Sequence, residues 1–147
     1  QSLKTNITLF KKEKELYDIE SDTSNLLNNG RLVILDGNVI FTDSKKEDIR
    51  ITSNNLKWVS ADSAIYMTGS VVATMKSSTL HSKYAIYEID EDKITFTEIT
   101  SYDTIPETST DPIINVNSDK AIWFGSTKTL EFISDNDRVR SKIFMFN

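Results

Sequence analysis

Apolar and polar residues alternate through most of this chain, and the alternation comes back four times. Serines at 21, 53, 82 and 118 anchor the copies. Two residues before each anchor stand Ile19, Ile51, Leu80 and Val116, and five after it Leu26, Trp58, Tyr87 and Trp123. At plus twelve come Val33, Ile65, Ile94 and Leu130, and at plus fourteen Leu35, Met67, Phe96 and Phe132. Val39 and Val71 follow at plus eighteen in the first two copies. The anchors lie 32, 29 and 36 residues apart, with no gap inside a copy. Self-similarity of this period marks a repeat architecture, in which one unit cannot bury its apolar side alone.

Intervals of two put these side chains on one face of extended strands. Between the anchor and plus five the apolar residues move to odd offsets, as at Leu56 and Trp58. That parity switch predicts a bulge or bend at the small anchor residue. At plus sixteen Gly37 and Gly69 interrupt two copies, and Glu98 and Ser134 take their places in the others.

The chain opens either with a lead-in strand around Ile7 and Leu9 followed by a charged turn or with a solvated, partly ordered terminus. Asn29-Gly30 predicts a hairpin joining Leu26 to Val33. Further turns are expected at 42–48, at 60–63, at Asp90–Asp92 and at Gly125-Ser126, and the polar stretch Thr100–Asp111 reads as a surface loop. The last strand, 138–146, carries apolar residues on both parities: Phe144 and Phe146 on one, Ile143 and Met145 on the other. No stretch has a helical period. The expected fold class is all-β, in one domain over 1–147.

Composition narrows the function classes. A formal net charge of −5 argues against nucleic acid as a partner and against a polybasic membrane patch. No apolar run reaches the length of a spanning helix, and no signal peptide is visible, the expectation for a mature or a trimmed chain. Cysteine is absent. The single histidine, His81, has no partnered triad or metal set around it, so a structural role is expected. Asp90, Glu91 and Asp92 crowd one turn without the spacing of a calcium loop. With four glycines there is no phosphate-binding loop. The expectation is no enzyme, no catalytic residue, no metal and no cofactor.

IESD at 19–22, LDGNVIFT at 35–42, IRITSNNLKW at 49–58 and GSVV at 69–72 resemble the periplasmic LptA/LptC (OstA-like) superfamily, and LptA most. The resemblance covers residues 17 to about 135. The missing glycines of the third and fourth copies depart from it. It implies a twisted open β-jellyroll of antiparallel strands, here built from four repeated β units. The repeat residues named above, Ile19 to Phe132, would line an apolar interior that holds acyl chains of lipopolysaccharide or a related glycolipid. A closed β-sandwich core gives the same alternation, and the resemblance favours the groove. Implied partners are the glycolipid and other jellyrolls of this type end to end, with a head-to-tail homo-oligomer. The assembly edges would be the strand beginning at Tyr17, or the segment Ile7–Phe10 before it, and the strand holding Ile143, Phe144, Met145 and Phe146. The implied location is the periplasm. An anchor or lipoprotein cysteine before Gln1 would indicate an LptC-like tethered role, and a cleaved signal an LptA-like one. The alternative is a structural β-repeat that binds only protein.

Overall fold

A computed structural model describes residues 4–43, 48–76, 78–104 and 118–134, and the backbone of 140–144. Eleven strands follow in chain order: β1 Thr5–Lys11, β2 Lys14–Ser21, β3 Thr23–Leu27, β4 Leu32–Asp43, β5 Ile49–Val59 and β6 Ala64–Met75. They continue as β7 Ser78–Glu88, β8 Lys93–Thr104, β9 Lys120–Phe124, β10 Thr129–Ile133 and β11 Arg140–Phe144. All form one antiparallel sheet in the order β1-β2-β4-β5-β6-β7-β8-β9-β10-β11, with β3 paired to β4 beyond β2. This is an all-β, open jellyroll. Neighbours in the sheet are mostly neighbours in sequence.

The anchor serines explain the bends. Each hydroxyl donates to the carbonyl two residues on: Ser21 to Thr23 (3.0 Å), Ser53 to Asn55 (3.1 Å), Ser82 to Tyr84 (3.1 Å) and Ser118 to Lys120 (3.2 Å). A side chain that occupies a backbone carbonyl in this way diverts it from the ladder, and the strand turns there. The ladder register shifts close to each of the first three anchors or on the strand beside it. Gly37 and Gly69 have φ of +83° and are followed by Asn38 and Ser70, also left-handed. An added Cβ on Gly37 would lie 2.8 Å from Asp22, and one on Gly69 2.8 Å from Asn54. In the third copy the same two positions hold Lys83 and Glu98, whose side chains form an ion pair at 3.7 Å. The absent glycine is thus replaced by a charge pair spanning the same gap.

The bends fold the sheet back upon itself. Tyr17 stacks on Phe41 with ring centroids 4.5 Å apart, and both meet Tyr87 edge-on from the opposite layer, at 4.8 and 5.5 Å. Tyr102 packs edge-on against Phe132 at 4.8 Å. Such offset and edge-to-face contacts between rings are the favoured geometries.

Three sequence expectations change. Tyr17 is buried, and its strand β2 has β1 on one side and β4 on the other, so the N-terminal edge is β1, the alternative Ile7–Phe10 segment. The stretch read as a loop from Thr100 is strand through Thr104, because Tyr102 turns into the core. Leu26, expected inside, is 67% exposed. Val116, Met145 and Phe146 lie outside the described residues.

Candidate functional site

The ladder registers join the repeat residues into rows that cross the sheet at right angles to the strands. One row runs Leu26–Val33–Trp58–Ile65–Tyr87–Ile94–Trp123–Leu130, each residue directly opposite the next. Leu130 in turn stands opposite Ile143 on β11. A second row runs Leu35–Leu56–Met67–Ala85–Phe96–Ala121–Phe132. A third, across the other layer, is Ile19–Phe41–Ile51–Ala73–Leu80–Tyr102. Val39 and Val71 lie between the layers, each opposite an anchor serine, Ser53 and Ser82. From Met67 to Phe132 large and small side chains alternate along the second row, which lets facing layers interdigitate.

These rows are packed tight. From Ile65 to Leu130 the first row is at most 1% exposed, and Ile19, Leu35, Val39, Ile51, Met67, Val71, Leu80, Phe96 and Phe132 are buried with it. The first row is uncovered only at its start. Leu26 is exposed, and Val33 and Trp58 are half-buried against the core. There β3 pairs with β4 alone, so its outer edge has no strand beside it among the described residues. An apolar stripe therefore surfaces at one free edge and dives between the layers.

At the far side a polar knot closes the roll. Asp92 accepts hydrogen bonds from the hydroxyls of Tyr87 (3.1 Å) and Tyr17 (3.4 Å). Burial first, and then the neighbouring carboxylates of Asp92 and Asp43, push the Tyr17 hydroxyl far above its ordinary pKa. Tyr87 moves the same way, through burial, then Tyr17 and Asp92. Gly125 donates its N–H to the Asp92 carbonyl at 2.9 Å and has no room for a side chain against that carboxylate. Lys11 donates to the carbonyls of Asp90 (2.8 Å) and Ile89 (3.4 Å), tying β1 to the β7–β8 turn. Lys128 pairs with Asp48 across the same side. Between them lies a cleft of about 470 Å³, floored by Tyr17, Ile49 and Trp123, with the carboxylates of Glu15, Asp43, Asp48 and Asp92 outnumbering the two lysines Lys14 and Lys128.

His81 is exposed; its ring meets the Ser101 hydroxyl at 3.1 Å and its carbonyl accepts from the Thr100 hydroxyl at 3.3 Å. Among the described residues no group of three or more His, Cys, Asp or Glu is arranged to hold a metal ion.

Sequence reading missed Phe41, Leu56 and Tyr102 as interior residues, and also the alanines Ala73, Ala85 and Ala121 between the large side chains. Phe41 and Leu56 lay inside the motifs already singled out. The alanines carry no signal until the register is known.

No protein-family profile matches the chain, and no curated protein matches its sequence. Its fold is similar to a crystal structure of LptH from Pseudomonas aeruginosa, described as the LptA-homologous periplasmic component of the conserved lipopolysaccharide transport device. The similarity has a TM-score of 0.57 at 8% sequence identity and covers 86% of this chain and 93% of that one.

Proposed function

We propose that this chain is a periplasmic lipid-transport module, which holds acyl chains of lipopolysaccharide or a related glycolipid along its apolar rows. The observation that carries the reading is the row from Leu26 to Leu130, continuous across eight strands and uncovered at its first members. A core made only for stability has no need of a stripe that emerges at a free edge, where exposed apolar surface marks an interaction site. The likeness in fold to LptH supports the same reading. Acyl chains enter at Leu26, Val33 and Trp58 and advance as the layers part, exchanging one apolar contact for another. The net driving force per step is small, which suits carriage better than storage. Edges at β1 and β11 that have no neighbour among the described residues fit end-to-end strand addition with like modules, a contact that does not close on itself. No chemistry is assigned to any residue, and the module is a carrier rather than an enzyme.

A second reading, a structural β-repeat that binds only protein, draws on the tight packing of the rest of the row. Photo-crosslinkers decide between them. Placed at Val33, Trp58, Met67 and Phe96, they capture glycolipid if the interior carries it, while one at Glu131 on the outer face does not. Capture equal at both sets, or at neither, refutes the carrier.

A further inference from the structure

The outer face of the β3–β4 hairpin holds a depression of about 730 Å³ that the interior rows do not use. Its floor is Leu32 and Val59, which stand opposite one another, with Tyr66 beside them. Leu27, opposite Leu32 on β3, extends this apolar surface to the free edge and is 45% exposed. Arg31 and Lys57 line the depression, both exposed. Neither side chain makes an ion pair or a hydrogen bond among the described residues. Asp62, the one carboxylate lining the depression, accepts from the Tyr66 hydroxyl at 2.9 Å.

The placement is unusual for a molecule of net charge −5. In the cleft beside Asp92, Lys14 and Lys128 face Glu15, Asp43, Asp48 and Asp92, and an anion is repelled. At the β3–β4 hairpin two cations without a partner among the described residues face one engaged carboxylate, over an apolar floor. Arg31 is held at the tip by a tight turn, with Gly30 donating to Leu27 (3.1 Å) and Arg31 to Asn28 (3.2 Å). The adjacent edge residue Leu26 faces the other way and begins the interior row. From this depression to Val33 and Trp58, an apolar tail has only the unpaired edge of β3 to cross.

We propose that Arg31 and Lys57 bind the anionic headgroup of a phosphate-bearing lipid and so deliver its chains to the open start of the row. The proposal rests on the carrier reading and names the entry site for it. Charge-assisted bonds from guanidinium and ammonium to phosphate suit the headgroup. Leu27, Leu32 and Val59 suit the first methylenes of the tails.

The test titrates the full chain with dihexanoyl phosphatidylglycerol, dihexanoyl phosphatidylcholine and inorganic phosphate, reading tryptophan emission, in which half-buried Trp58 is the accessible reporter beside buried Trp123. The double variant Arg31→Gln/Lys57→Gln is compared with the unaltered protein, and circular dichroism verifies its fold. The expected result is phosphatidylglycerol binding weakened about tenfold or more by the double substitution, from the loss of roughly 1 kcal/mol per cation. Phosphatidylcholine binding should be weaker and unchanged by it. If the double variant binds phosphatidylglycerol as well as the unaltered chain does, the headgroup site is wrong, while interior crosslinking still stands or falls separately. Equal affinity for both lipids, or for inorganic phosphate alone, also overturns it. So does a change only in self-association, which would assign the depression to a second copy of the chain.

Discussion

Replacing Gly69 by alanine isolates how closely the repeat units pack at their bends. Gly69 sits within the register shift between Thr68 and Val71, at φ +83°, and an added Cβ would lie 2.8 Å from the Asn54 Cβ. The left-handed backbone costs an alanine about 1–2 kcal/mol. Overlap of two Cβ atoms cannot be relieved by rotating a side chain, so the backbone must shift, at a further cost of about 1–3 kcal/mol. Gly30 is the internal control, because its φ is also +83° but nothing lies within 4 Å of its added Cβ. Gly30→Ala should therefore cost about 1 kcal/mol, the strain partly offset by lost freedom in the unfolded chain. Gly69→Ala should cost about 2–4 kcal/mol, the same net backbone term as at Gly30 plus the overlap term. Urea unfolding measures both as shifts of midpoint at constant slope. Adding Asn54→Gly should recover about 1 kcal/mol or more of the Gly69→Ala loss as a coupling energy, since it removes the colliding atom. Equal costs at the two glycines, or no coupling with Asn54, refute the close-approach argument.

Three further outcomes follow from the polar knot and the last strand. The folded hydroxyls of Tyr17 and Tyr87 hold their protons more tightly than in the unfolded chain, so their contribution to stability is intact below about pH 10 and falls above it. Urea midpoints measured from pH 8 to 11 should show that fall. Asp92→Asn should bring these two tyrosines to ionise at lower pH in absorbance titrations, though still late because burial persists; an unchanged titration refutes the assigned cause. Deleting 138–147 should abolish concentration-dependent oligomers in sedimentation while leaving β-type circular dichroism. Unchanged oligomers or an unfolded chain contradict assembly through that strand.

The repeat was legible because period and register are one fact seen twice: residues at plus five and plus twelve become cross-strand partners, as Tyr87 and Ile94 do. Alternation records which face a side chain takes but not whether another layer covers that face. For that reason Leu26 has the pattern of a core residue and the exposure of a surface one. Tyr102 was hidden by its neighbours, since Thr, Ser and Asp around it read as loop although the strand's inner face needs only one large residue there. The departure at Glu98 looked like decay of the repeat, yet its partner Lys83 lies one residue past the anchor, where Asp22 and Asn54 meet glycines. The polar knot at Asp92 was not legible at all. Its members Tyr17, Tyr87 and Gly125 come from strands and turns that only the folding-back of the sheet brings together.

The strand order carries a consequence for how such a molecule comes into being. From β4 to β8 every strand pairs with the one made just before it, and the pairs β1–β2, β9–β10 and β10–β11 do the same. Each closure spans a short loop and loses little chain entropy, so the sheet can grow as a zipper in the order of its residues. A chain delivered N-terminus first through a narrow pore meets its partners as they emerge. It need not wait for its tail. Only the cross-layer contacts, Tyr17 with Tyr87 and Lys11 with the turn at Asp90, require the seventh and eighth strands to have arrived. Until then the apolar face of the first units has no second layer over it, and exposed apolar surface of that kind favours aggregation.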